Sequence, residues 1–367
     1  MLADPVRAPA YLAAVRESVR RGMVVADVGA GPGVLGVYAA TLGARRVFLV
    51  EPDASVHAAL ALAGENGVAD RVEVIRAAST DVALPERADV IVSDLRGVTP
   101  FHGRHLEAAT DMRRRLLAPG GVCIPRRDRV YAALLEDDAL HARTAGAWSA
   151  LPAALAHESL DALMANGWFR ARTTGAQLLS EPAPFVTLDY DCPAPPLHAS
   201  LDVRATRDGI AHGLLLWFDT DLTDRIALSN APTSPPALYG QAFFPFRPTF
   251  VLRQGDRLRV DLRAVLAGDD YAWSWSARDD AGRAASHATL RSLPLDPSAL
   301  ALRSARRAPR RSAEGEILRV LLDAADGRAT FGELADLLHQ RFAERFPTGQ
   351  SALDYVTRLD DLWGSPR

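Results

Sequence analysis

Lysine is absent from this chain: all 42 basic residues other than histidine are arginine. That removes lysine chemistry, including Schiff-base formation and the phosphate-binding lysine of a P-loop. Cysteine is scarce. Cys123 and Cys192 allow one disulfide at most and cannot build a cysteine-rich zinc site. No His/Cys/Asp cluster has metal-ligand spacing, so no metal is expected. No apolar run approaches the ~18 residues that span a membrane. The opening MLADPVRAPAYL carries an early acid and lacks a signal-peptide apolar core, so a cytoplasmic location is expected. Charge of one sign is lacking too: 45 acids against 42 arginines leave −3, which is no magnet for nucleic acid or an anionic membrane. Neither is expected as a partner.

What is present is an ordinary globular balance, 48% hydrophobic and 24% charged. A length of 367 residues predicts two or three domains. Residues 1–125 alternate apolar runs with helical patterns. The runs MVVADV (23–28), RVFLV (46–50), RVEVI (71–75), DVIVSD (89–94) and GVCIP (121–125) predict strands. Helical patterns fall at 34–43, 54–67 and 105–121. This alternation argues a doubly wound α/β domain with a largely parallel sheet, which binds ligands at the carboxyl ends of its strands. Asp27, Glu51 and Asp94 stand at such ends. From 126 to about 300 the chain turns to short alternating strands with Pro/Gly/Asp turns, at 129–136, 185–191, 200–209, 212–222, 256–266 and 271–279. They read as a β-rich sandwich or barrel. Residues 148–168 have helical spacing and look like an insertion. RSARRAPRRS (303–312) is a basic linker, and three amphipathic helices are predicted at 314–327, 330–346 and 351–363, within a small helical domain over 301–367.

The stretch DVGAGPG (27–33) follows a strand and opens a helix. Gly29, Gly31 and Gly33 let the backbone turn sharply and approach a ligand, and the helix N-terminus behind them favours an anionic group. A nicotinamide or flavin site wants a glycine at 34, where this chain has Val34. Glu51, ending the second strand, is placed to accept from both hydroxyls of a ribose, and suits NAD equally well. The Asp-x-Gly-x-Gly-x-Gly spacing resembles motif I of class I S-adenosylmethionine methyltransferases.

The resemblance extends further. MLADPVRAPAY (1–11) resembles the stretch before motif I in protein arginine methyltransferases, and LLAPGGVCIPRR (116–127), HGLLLWFDTDL (212–222) and NAPTSPPALYGQAFFPF (230–246) resemble that family's passage into a β-barrel and its later barrel strands. It covers about 1–290. It implies a Rossmann-like S-adenosylmethionine domain over 1–125, a β-barrel domain over 126–300 and a helical dimerisation arm at about 148–182, through which subunits pair head to tail into a homodimer. Arg7 is then expected to reach the methionine carboxylate of the cofactor, and Ser79 and Thr80 to contact its adenine. The chain starts inside the first motif, so the helix that precedes it in the family is expected to be absent or supplied by another segment.

The acceptor side departs from the family. SDLRGVTPFHG (93–103) falls on the family's double-Glu loop, with Asp94 at the first Glu and Gly103 at the second. Two acids orient a guanidinium, balance its charge and accept its proton, because it is a forked, fully charged and poorly nucleophilic group. Asp94 stands alone. The family's Thr-His-Trp positions read Ala237, Leu238 and Tyr239, while Gln241 stays. A methyltransferase with a non-arginine N or O acceptor is therefore expected, on a peptide, a protein or a small molecule. Asp94 would orient the nucleophile and His102, or His105, would take its proton. Tyr239 is a pocket candidate; Arg96 and Arg104 could attract an acidic acceptor but are read first as surface arginines. A small-molecule natural-product methyltransferase and a catalytically silent cofactor-binding dimer are the alternatives. The terminal helices loosely resemble the winged-helix-like peptide-recognition domains of bacterial peptide-modifying systems, which would dock a peptide acceptor.

Overall fold

The structure, a computed structural model, describes residues 4–148, 151–152, 155–293 and 305–363, the side chains of 360–363 excepted. Two compact units result, Met1–Pro294 and Leu295–Arg367.

The first unit opens with helix α1 (Arg7–Ser18), whose entry is capped by the Asp4 carboxylate accepting from the Val6 and Arg7 amides at 2.9 and 2.6 Å. This helix was not among the predicted elements. Its signal is short: Tyr11, Ala14 and Val15, at the i, i+3, i+4 spacing of one face, are fully buried. Strands β1 (Val24–Val28), β2 (Arg46–Val50), β3 (Val72–Ile75), β4 (Ala88–Ser93) and β5 (Leu117–Ile124) form a parallel sheet in the order β3-β2-β1-β4-β5. Helices α2 (Val34–Thr41), α3 (Ala58–Glu65) and α4 (His105–Arg115) complete the layers. Alternate residues of β1 feed opposite faces. Val25 joins Tyr11, Val37 and Ala59, whereas Val24, Ala26 and Val28 join Met112 and Leu116. Burial on both faces is why β1, β2 and β4 read as continuous apolar runs, whereas the edge strands β3 and β5 are only partly covered. The order reverses between β1 and β4, so their carboxyl ends bound the crevice in which such sheets bind ligands.

Beyond β5 the strands are antiparallel. One sheet runs β7 (Phe169–Ala171), β12 (Gln241–Leu252), β10 (Gly209–Asp221), β6 (Arg127–Leu135), β8 (Ala183–Asp189), with β11 (Ala227–Ser229) on β10. The other runs β15 (Ala284–Ala288), β14 (Asp270–Asp279), β13 (Arg257–Ala267), β9 (His198–Arg204). β12 meets β15 and β8 meets β9, so the two sheets wrap into a barrel. Its core is aromatic, with Phe244 5.0 Å from Trp273 and 5.2 Å from Trp275 between ring centres. β12 extends beyond the stretch the resemblance pointed to, because Pro245 and Pro248 argue against an inner strand; the partner strand absorbs them with an irregular register between Ala211 and Gly213. Between β6 and β7 lie α5 (Asp138–Arg143) and α6 (Glu158–Ala165). Of the predicted insertion at 148–168, residues 149–150 and 153–154 lie outside the described ones.

The second unit carries α7 (Ala313–Ala324), α8 (Phe331–Arg341) and α9 (Gly349–Trp363) around Leu321, Leu338, Phe346 and Val356. Ser312 caps α7, and Thr330 with Glu333 forms a capping box on α8. Among the described residues this unit has no strand, so its likeness to a winged helix is confined to the helices.

Candidate active site

The crevice begins at the turn after β1. Gly29, Gly31 and Gly33 have φ of +73°, +52° and +74°, the left-handed region that side chains other than glycine rarely adopt. A Cβ on Gly29 would collide with Leu95, and one on Gly33 with Ala59 and Leu49, whereas the space beside Gly31 is open. Gly31 therefore presents bare backbone to the crevice. Asp27 holds the turn to α2 by accepting from the Gly36 amide at 2.8 Å. Burial pushes its carboxyl up to about 7, against that hydrogen bond and the nearby Arg7. Glu51 accepts from the Gly31 amide at 3.0 Å through Oε2 and from the Asp53 amide at 3.0 Å through Oε1. Each oxygen keeps a lone pair for a vicinal diol.

Asp94 ends β4 across the crevice, its side chain 3% exposed. Arg7 of α1 donates to Oδ2 through Nε, and the Tyr239 hydroxyl donates to the same oxygen at 2.6 Å. Arg96 donates to Oδ1 at 3.0 Å. Burial raises the Asp94 pKa, but Arg96, Arg7 and the Tyr239 hydrogen bond outweigh it and hold the carboxyl below its usual range. Asp94 is thus a fixed anion and a weak base.

Arg96 overturns its reading as a surface residue. Its side chain is 0% exposed, because the loop that carries it is clamped between the sheet and the barrel. Phe101, five residues on, sits edge-on to Phe185, Tyr271 and Trp273 of the barrel. Arg96 reaches Asp128 of β6 at 2.8 Å and Thr220 of β10 at 2.7 Å, residues that face each other across the two strands. Tyr11 and Tyr239 accept from its Nη2 at 2.5 and 3.5 Å. Arg104, by contrast, is exposed and pairs with Glu107 and Asp269.

His102 lies exposed on the same loop, packed beside Gly97, and is not among the groups bonded to Asp94. His105 is buried at the start of α4. Tyr190 donates to Asp128 at 2.6 Å, so His105 donates to Tyr190 from Nε2 at 2.9 Å and its Nδ1 is left bare. Burial pushes His105 down to about 4. Ser79 and Thr80 form a short turn after β3, held by Arg115 through their carbonyls, the Ser79 contact at 2.7 Å. The structure therefore unites Arg7, Asp94 and Tyr239, and ties Glu51 to Gly31, but leaves His102 apart. Asp128, Thr220, Tyr11 and Tyr190 were missed. Each reads locally as a strand or helix residue, and only the packing of barrel on sheet brings them together.

The strand order, the left-handed glycine turn and the acid ending β2 define the class I S-adenosylmethionine methyltransferase fold. Two known families match separate parts of the chain. Residues 10–96 match ribosomal protein L11 methyltransferase, and residues 126–277 match the arginine methyltransferase oligomerization subdomain. By these matches the chain is similar to arginine methyltransferases over its barrel and to a second methyltransferase family over its parallel sheet. A probable histone-arginine methyltransferase CARM1 of Oryza sativa subsp. indica is 33% identical over 256 residues, 64% of this chain and 48% of that one. An arginine N(omega)-methyltransferase of Streptomyces achromogenes subsp. streptozoticus is 29% identical over 276 residues, 71% of this chain and 74% of that one. The chain spans about half the length, or less, of the first curated relatives it matches. Among solved structures, the Trypanosoma brucei PRMT1 enzyme–prozyme complex with AdoHcy superposes with a TM-score of 0.72 at 21% identity, over 78% of this chain and 96% of that one. Arabidopsis thaliana protein arginine methyltransferase 10 gives 0.68 at 21%, over 79% and 96%. These likenesses carry the fold.

The crevice fits S-adenosylmethionine by its own donor set. Glu51 offers free lone pairs to a ribose diol, Arg7 a guanidinium to a carboxylate, and Gly31 open backbone. Among the described residues no helix is long and apolar enough to cross a membrane.

Proposed function

We propose that the chain is an S-adenosylmethionine-dependent methyltransferase whose acceptor is not a guanidinium. The cradle carries the first part: three left-handed glycines, the half-free Glu51 carboxylate and Arg7 converge on one crevice. The relatives are arginine methyltransferases by name, which supports methyl transfer. The acceptor side argues against carrying over arginine, because Asp94 already holds three donors and position 103 is glycine. The cofactor, when bound, supplies a methyl on a positive sulfur that keeps the C–S electrons as the acceptor's lone pair forms the new bond. Arg7 binds its carboxylate and Glu51 its ribose. Asp94 keeps a lone-pair direction free on Oδ1 and orients the acceptor by it. With its pKa depressed, Asp94 passes the proton on rather than keeping it; His102, exposed on the same loop but not bonded to Asp94, would take it by way of water and release it to solvent.

In the same reading, residues 1–125 bind the cofactor with help from Ser79 and Thr80 at the adenine. Residues 126–300 pair two copies through the arm at 148–182, and 301–367 dock the acceptor. The match to an oligomerization subdomain over 126–277 supports the pairing.

Calorimetric titration with S-adenosylmethionine and S-adenosylhomocysteine tests the reading. Wild type is expected to bind both at micromolar concentration. Glu51→Ala removes the diol's charged acceptor, about 3 kcal/mol, and should weaken binding about 100-fold. A wild-type protein that binds neither ligand sinks the proposal.

A further inference from the structure

Arg96 sits in a cage made for a guanidinium. It has five N–H donors, and five acceptors surround it: Asp94 on Nε, Asp128 and Thr220 on Nη1, Tyr11 and Tyr239 on Nη2. The rings of Phe218, Tyr239 and Tyr11 lie 5.1, 5.6 and 5.9 Å from its Cζ. Two carboxylates around the fork, with aromatic rings beside it, form the recognition set that a guanidine acceptor requires. The second acid that the loop lacks at Gly103 comes instead from the barrel, as Asp128, and both acids hold a guanidinium that belongs to the chain.

Charge is balanced inside this cage. Arg7 and Arg96 face Asp94 and Asp128, and all four side chains are 7% exposed or less. An added guanidinium would find its acceptors taken. An added carboxylate, beyond the cofactor's own that Arg7 takes, would lie beside Asp94 and Asp128 with no cation left to pair it. Either is a buried charge without a partner. A neutral group adds no charge and needs only the one lone pair left on Asp94.

We infer that Arg96 is a resident guanidinium that fills the place a guanidine acceptor would need and restricts the acceptor to an uncharged nucleophile, such as a hydroxyl or a neutral imidazole. The inference rests on the methyltransferase reading for its consequence. Its geometry stands at the switch-point crevice, where Leu95, between Asp94 and Arg96, packs against Gly29 of the cofactor turn.

The test uses ethylguanidine, the part of the arginine side chain that Arg96→Ala removes. Both proteins are first saturated with S-adenosylhomocysteine, which reports separately whether the cofactor reading holds. Ethylguanidine is then titrated by calorimetry and its effect on melting temperature recorded. Arg96→Ala should bind it, regain melting temperature, and lose both effects when Asp128→Asn is added. Wild type should bind it at least about 100-fold more weakly. Wild-type binding as tight as the variant's overturns the inference, as does a folded Arg96→Ala protein that ignores ethylguanidine. Where Arg96→Ala does not fold, wild type decides alone: methyl transfer to ethylguanidine or to an arginine peptide, read by mass, refutes the inference, and transfer confined to uncharged acceptors supports it.

Discussion

Asp128→Asn probes the joint between sheet and barrel without changing its shape. The Asp128 side chain is 0% exposed and accepts from Arg96 at 2.8 Å, Thr220 at 2.6 Å and Tyr190 at 2.6 Å. The amide keeps one carbonyl oxygen and turns the other acceptor into a donor, so at least one of the three donors faces an N–H. The charge opposite Arg96 is also lost. Breaking a buried pair by removing one partner costs about 3–5 kcal/mol; the retained carbonyl places this case near 3. With an m-value of about 3 kcal/mol per M urea, the midpoint should fall by about 1 M, read from tryptophan fluorescence. Arg96→Met should cost a similar amount by leaving Asp128 buried without its counter-charge, while Asp94 keeps Arg7. The double variant Arg96→Met/Asp128→Asn removes the mismatched charges of that pair together, so it should cost about 2 kcal/mol less than the sum of the two. A midpoint shift under about 0.3 M for Asp128→Asn, or strict additivity of the two, would refute the claim that this pair is a coupled buried unit.

Two further outcomes follow from the crevice. Burial raises Asp27 to about 7, so the folded state prefers the neutral acid; the stability this contributes is complete below the unfolded value near 3.8 and is lost as pH rises to about 7. Urea midpoints of wild type should therefore fall, relative to those of Asp27→Asn, between about pH 4 and 7 and run parallel above, and parallel curves throughout would remove the effect. His102→Gln should lower kcat about tenfold while leaving the calorimetric Kd for S-adenosylmethionine unchanged, and unaltered turnover across pH would exclude His102 from proton release.

Much of the fold was legible because it is written locally. β1, β2 and β4 read as apolar runs since both faces of the sheet are covered there, and β13 and β14 read as alternation since one face of each is exposed. The glycine turn was legible because positive φ leaves few residue choices. β12 and α1 were harder. The first carries two prolines, and the second buries a short stripe that begins at the last residue of a motif read for its arginine.

The glycine turn after β1 and the acid after β2 are legible from neighbouring residues alone. A turn's backbone angles and an acid at a strand end are properties of neighbouring residues, and spacing records them. The surroundings of Arg96 are set only by tertiary packing. Nothing local distinguishes an arginine that meets solvent from one that meets an aspartate 32 residues away and a threonine 124 residues away. Arg96 is buried because Phe101 pins its loop against the barrel and because β6 and β10 set Asp128 and Thr220 side by side. Charge pairing between distant strands depends on which surfaces close on one another, and only the packed chain supplies that.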